Sequence, residues 1–197
     1  MKVNVEETSI AGCRIIHPTV FNDDRGGFVE LYRRDEFVAA GIPLEASHQV
    51  NLSWSVKNVV RGLHFQWNPR MGKLMRVVSG EAFLVAVDLR KDSPTLGKHV
   101  SRVMKGDPGN PDVPLEFFWA PESFARGFAV LSDRAVIEYI CTGSYTLTKD
   151  ESGILWNDPS IGIDWPVKEP ILSGKDSEAQ TLVEWLAKPE SEVFRVP

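Results

Sequence analysis

The segment "VVRGLHFQW" (59–67) sets Arg61 and His64 among Val59, Val60, Leu63, Phe65 and Trp67, residue types that favour an extended, buried backbone. An ionisable side chain in such a strand is costly unless it has a partner or a task. Histidine titrates near neutral pH and can act as a base, while the planar fork of an arginine fits phosphate oxygens. Lys73 and Arg76 follow on the next predicted strand, in "KLMRVV". A lysine beside such a histidine can stabilise a developing oxyanion, and a tyrosine on the far side can deliver a proton. That set suits removal of a proton next to a ketone and its return on the opposite face, an epimerisation. Composition alone shows only that the parts exist.

Positions 61 and 64 differ by an odd number, so a regular strand would send the two side chains to opposite faces. For both to line one cavity, Gly62 must supply a bulge or bend. His17, before a proline, and His99, after a lysine near a turn, read as ordinary structural histidines. A β-barrel metal site needs a His-x-His pair, and here the second member would be Gln66, a poor substitute for imidazole. No Cys-x-x-Cys is present either. With no nicotinamide or Walker motif, the reading is of a cavity that works with side chains alone, without metal or cofactor.

These residues must be positioned by a chain of 197 residues, read as a single domain over 1–197. Its 43% apolar and 25% charged content is that of an ordinary globular protein. A net charge of −5 gives no general attraction to nucleic acid or to an anionic membrane, so a bound anion needs a local cluster of arginines and lysines. The opening "MKVNVEETSIAG" lacks the apolar run of a signal peptide, and the longest apolar run, Ala82 to Val87, is too short to cross a bilayer. Cys13 and Cys141 do not make a disulfide framework, which places the protein in a reducing cytoplasm.

Gly and Pro recur at short intervals between runs of Val, Ile, Leu, Phe and Trp, the signature of an all-β sandwich or barrel. "EAFLVAVDL" is apolar on both faces and should be covered on both. "KLMRVVSG" precedes it, and Ser79-Gly80 predicts a hairpin turn between the two. Further strands are predicted at "HQVNLSWS", "EFFWAP", "RGFAVLS" and "AVIEYICTGSY", and "KGDPGNPDVP" reads as an exposed loop. Two segments read as helical: "RDEFVAAG", and, near the C-terminus, "SEAQTLVEWLAK" with Ser177 and Gln180 at capping-box spacing.

"RGLHFQ" and "KLMRVVSGEAFLVAVDLRKDSPTLG", with "DDRGGFVE", "QVNLSWS", "FARGFAVLS", "EYICTGSY", "GILWNDPSIGIDWP" and "LSGKD", resemble the dTDP-4-dehydrorhamnose 3,5-epimerase family in order, from about residue 13 to 182. The resemblance implies a cupin-type jelly roll with a few short peripheral helices, acting as a homodimer without metal or coenzyme on nucleotide-linked 4-keto-6-deoxy sugars. It implies His64 as the base, Asp176 as its carboxylate partner, Lys73 beside the enolate, and Tyr139 as the general acid. Arg61 corresponds to the arginine that holds the diphosphate. Arg25, Phe28, Glu30, Gln49 and Asn51 correspond to nucleotide-binding positions, and Tyr145, Glu151 and Lys175 to further substrate contacts.

One departure stands out: where the family reads "AHGF", this chain has "ARGF", placing Arg126 in the site. Arginine cannot serve as a neutral acid–base group. It could clamp the diphosphate, alter which sugar is accepted, or narrow the reaction to one carbon. The alternatives are therefore a single-carbon 3- or 5-epimerase of a related nucleotide sugar and a non-catalytic nucleotide-sugar binding protein. A metal-dependent cupin is disfavoured by the missing histidine pair.

Overall fold

The computed structural model describes residues 3–44, 47–143 and 150–196. Strands dominate: β1 (Val3–Glu7), β2 (Arg14–Pro18), β3 (Val20–Asp23), β4 (Gly26–Val29), β5 (Ser47–Val56), β6 (Val60–Gln66), β7 (Lys73–Asp88), β8 (His99–Gly106), β9 (Phe117–Ala120), β10 (Phe124–Val130), β11 (Arg134–Thr142) and β12 (Glu151–Gly153). Helices are short: α1 (Arg34–Ala39), α2 (Gly174–Ser177), α3 (Leu182–Leu186) and a 3-10 turn at Pro189–Val193. Among the described residues no helix is long and apolar enough to cross a membrane.

β7 organises the molecule. Its first half pairs with β9 and β11, its second half with β8 and β10, all antiparallel. Two sheets result, β1-β2-β9-β7-β11-β5 and β8-β7-β10-β6-β12, and β7 belongs to both. The arrangement is a cupin-type jelly roll, in agreement with the turn-punctuated sequence. The predicted hairpin at Ser79-Gly80 is not formed. β7 runs straight through, and Gly80, at φ +86°, bends it from one sheet into the other. A β-carbon there would stand 2.1 Å from the Arg134 carbonyl oxygen. The tight neighbour and the positive φ give the glycine a bend to make rather than a chain reversal.

The two faces of β7 are both covered, as its pattern requires. Ala82, Leu84 and Ala86 pack between the sheets with Met75, Phe118, Phe128 and Ile137. Val85, Val87 and Leu89 pack outward under the C-terminal segment, against Phe65, Trp165, Leu182 and Trp185. Trp185 lies 4.5 Å from Phe65 between ring centroids, so α3 is anchored by aromatic burial. α3 is shorter than expected and its capping box is Thr181 with Glu184, not Ser177 with Gln180. Ser177 instead ends α2, a separate turn capped by Ser173. α1 forms as predicted and buries Phe37 against Phe117 and Trp119 on the far side of the first sheet.

The bend demanded of "RGLHF" is present. Gly62 has φ +123°, and the β6–β10 pairing shifts register between Arg126 and Phe128. A β-carbon on Gly62 would meet the Gly127 α-carbon at 2.6 Å and the Arg126 carbonyl oxygen at 2.7 Å. Gly62→Ala is therefore expected to destabilise the fold by roughly 2–5 kcal/mol, combining overpacking with backbone strain. Gly174→Ala, whose added carbon meets nothing within 4 Å, should shift stability by less than about 1 kcal/mol. Urea unfolding of the two variants checks the contrast.

Candidate active site

Between the two sheets opens a cavity of about 550 Å³. From β6 it receives Arg61 and His64, which the Gly62 bend turns toward the same space. Behind His64 stands Asp176 of α2, with His64 Nε2 and Asp176 Oδ1 2.5 Å apart. Asp176 is buried, and Ser173 holds it in place by donating from Oγ to Oδ2 at 2.9 Å. Burial works to raise the Asp176 pKa, but bonds from His64, Ser173 and the Gly62 N–H together hold it below the ordinary carboxylate value. A carboxylate on one ring nitrogen orients the imidazole and leaves the other nitrogen with its lone pair, the arrangement of a base.

The opposite sheet supplies two further groups. Lys73, at the start of β7, and Tyr139, on β11, line the same cavity, with Lys73 Nζ 4.8 Å from the centre of the Tyr139 ring. Burial, followed by the nearby Arg126 charge, brings the Lys73 ammonium down to about 8. Burial, and next Cys141, push the Tyr139 phenol above its ordinary value, so it keeps its proton at neutral pH. Arg76 does not reach the cavity; it pairs with Glu138 at 2.8 Å.

Gln49 and Asn51 of β5 line the cavity and bond to each other, Gln49 Nε2 donating to Asn51 Oδ1 at 3.0 Å. Arg61 is exposed, and its Nε donates to Ser55 Oγ at 3.0 Å. Glu151 of β12 and Lys175 of α2 meet as an ion pair of 3.2 Å at the same cavity. Arg126 of β10 is 4% exposed and sits among the cavity residues. Tyr145 lies outside the described residues.

Three expected site residues are elsewhere. Arg25 and Phe28 belong to the β3–β4 hairpin, a separate two-stranded sheet with its own small concavity. Arg25 pairs there with Asp23 at 2.6 Å, and Phe28 is 68% exposed. Glu30, just beyond the hairpin, pairs with Arg33 at 2.6 Å. Within one chain these residues do not join the cavity.

Sequence reasoning missed Ser55, Ser173 and Cys141. Ser173 had a legible signal, since "SGKD" carries Ser and Asp at helix-capping spacing. Cys141 lines the cavity and accepts from Asn51 Nδ2 at 3.7 Å, a placement that only the β5–β11 register reveals.

The fold and cavity together define a class, the cupin-type jelly rolls, here with acid–base side chains facing one another across the barrel interior. Residues 7–184 match the sequence profile of dTDP-4-dehydrorhamnose 3,5-epimerase. The chain is 45% identical over 184 residues to the dTDP-4-dehydrorhamnose 3,5-epimerase of Shigella flexneri, covering 92% of this chain and 97% of that one. Against the enzyme of the same name from Methanothermobacter thermautotrophicus it is 44% identical over 181 residues, covering 90% and 94%. Among solved structures, the dTDP-6-deoxy-D-glucose-3,5-epimerase of Legionella pneumophila Philadelphia 1, in complex with dTDP-4-keto-L-rhamnose, superposes with a TM-score of 0.87 at 38% identity, covering 99% and 98%. This chain belongs to the dTDP-4-dehydrorhamnose 3,5-epimerase family.

The half-buried lysine has a thermodynamic signature. Lys73 releases its proton near pH 8 when folded, against about 10.4 when unfolded. Between those values the unfolded chain binds more protons, so the lysine's contribution to stability rises with pH. Lys73→Met should lack that rise. The difference in unfolding free energy between wild type and Lys73→Met should shift toward the wild type from pH 8 to pH 10, as denaturant titrations would show.

Proposed function

We propose that the protein converts dTDP-4-dehydro-6-deoxy-D-glucose to dTDP-4-dehydro-L-rhamnose by inverting carbons 3 and 5 without a cofactor. The observation that carries this is His64 of β6, backed by Asp176 of α2, facing Lys73 and Tyr139 on the other sheet across a single cavity. The 4-keto group acidifies the protons on the adjacent carbons. His64 takes one of them, the C–H electron pair becomes the enolate double bond, and the carbonyl electrons move onto oxygen beside the Lys73 ammonium. Tyr139 then gives a proton to the same carbon from the opposite face, and the enolate collapses to the ketone. One proton leaves and one arrives, so the sugar keeps its formula; solvent resets His64 and Tyr139. Arg61, exposed at the cavity, is the diphosphate contact, with Gln49 and Asn51 on the nucleotide side and Glu151 with Lys175 near the sugar.

The reading extends to a homodimer in a reducing cytoplasm. Both cysteines are buried and unpaired, as suits that compartment. Gln49 to Ser53 of β5 border the cavity, and along that strand Val50, Leu52, Trp54 and Val56 alternate with the polar residues at 62%, 54%, 71% and 50% exposure. An apolar face on a strand that, among the described residues, pairs only with β11 fits a second copy of the chain. Such a copy would also give Arg25 and Phe28 on the β3–β4 hairpin a nucleotide to meet, in its neighbour's cavity.

Incubation with dTDP-4-keto-6-deoxyglucose in heavy water should place deuterium at carbons 3 and 5, read by NMR. His64→Ala should slow that exchange by about 10²–10⁴-fold. Deuterium at one carbon only would reduce the activity to a single-carbon epimerase, and none at either would refute it. Trp54→Lys should convert the dimer to monomers in analytical ultracentrifugation; a wild type that sediments as a monomer would remove the dimer from the reading.

A further inference from the structure

Arg126 is a buried cation whose needs the fold does not meet. Its Cα pairs directly with that of His64 across the β10–β6 ladder, which sets the two side chains side by side on one face of the sheet. Nη2 donates to the carbonyls of Met71 and Pro121, but Nε is buried and has no acceptor. Among the described residues no carboxylate forms an ion pair with Arg126 or with Lys73, a cavity cation near enough to feel the Arg126 charge. Glu122 is the acidic group felt by Arg126, and it is engaged by Arg70 at 3.5 Å. Burial lowers Arg126 to about 10, which leaves it charged at neutral pH. Cys13 and Cys141 nearby have thiols pushed up by burial, Cys13 to about 12, so neither supplies a negative charge. Lys73 feels the Glu151 carboxylate without pairing with it, and Arg126 keeps a buried donor idle, a combination that is costly unless something anionic visits.

We propose that Arg126 and Lys73 together form a two-cation oxyanion site at the inner end of the cavity, and that its occupant is the enolate oxygen created when His64 removes a proton. This rests on the epimerase reading above. The oxygen becomes anionic only after the C–H bond breaks, so donors held there act more strongly on the enolate than on the ketone. The diphosphate is the other candidate occupant. It is bulky and strongly hydrated and fits the exposed Arg61, whereas Arg126 lies 4% exposed beside the base. A guanidinium tied to two backbone carbonyls is also pre-positioned, so it needs little reorganisation as the charge appears.

The test compares wild type with Arg126→Gln, Arg126→Lys and Arg126→Met, each checked for folding by circular dichroism. Arg126→Gln should slow deuterium exchange at the sugar carbons by about 10²-fold while dTDP affinity, measured by calorimetry, stays within about threefold. Arg126→Lys should recover part of the exchange, and Arg126→Met carries the same readout if the glutamine variant does not fold. Unchanged exchange, or an equal loss of exchange and dTDP affinity, would overturn the proposal, the second result making Arg126 a diphosphate clamp. Crystals soaked in sodium bromide give a readout that needs no turnover. Bromide between Arg126 and Lys73 in the wild type, lost in the variant, supports the site even if the wild type exchanges no deuterium and the epimerase reading fails. No bromide there in the wild type counts against the site itself.

Discussion

Gly62 on β6 and Gly127 on β10 lie so close that neither accepts a β-carbon: one would meet the Gly127 α-carbon at 2.6 Å, the other the Arg61 carbonyl oxygen at 2.7 Å. That approach lets β6 bend, and the bend turns Arg61 and His64 into one cavity despite their odd spacing. The Gly62 N–H then reaches the Asp176 carboxylate, so the same residue that aims the histidine also helps hold its partner. Arg126 comes directly before Gly127 and shares the register of His64. A contact between two backbones without side chains thus sets the direction of four ionisable groups.

Electrostatically the molecule is two-faced. The chain carries a net charge of −5, yet its cavity gathers Arg61, Lys73, Arg126 and Lys175. The acidic groups that serve the cavity are committed: Asp176 to His64, and Glu151 to Lys175. A local positive potential inside an acidic shell suits a small anionic ligand and disfavours polyanions, whose long charged backbones would meet the repelling exterior.

Much of this was legible in the sequence because it depended on short-range rules. Strand alternation exposed the conflict between Arg61 and His64, and the glycine between them named its own remedy. The doubly apolar "EAFLVAVDL" announced a strand covered on both sides. The ordered segments shared with the family, not spacing, pointed to Asp176, which is remote in sequence from its histidine. What was illegible depended on tertiary context. Ser79-Gly80 carries turn chemistry, but the close Arg134 carbonyl makes Gly80 a bend within a continuous strand. Ser177 and Gln180 have capping spacing, but Thr181 and Glu184 form the box because Leu182 and Trp185 must face the outer core. Ser55 and Cys141 look like filler until the register of β5 and β11 sets them beside the site. Arg25, Phe28 and Glu30 stand apart from the cavity because nothing in a single chain folds the β3–β4 hairpin over it.

The dual membership of β7 has a consequence for biosynthesis. Its four partners all lie later in the chain, from His99 to Thr142. As the chain leaves the ribosome, this apolar sixteen-residue strand emerges before any strand that can pair with it. At ~5–20 residues per second the wait for β11 lasts several seconds, far longer than local collapse takes. Neither sheet can be completed from an N-terminal fragment, so the sandwich forms late and nearly all at once. During that interval this long apolar strand depends on whatever shelters nascent chains in the cell.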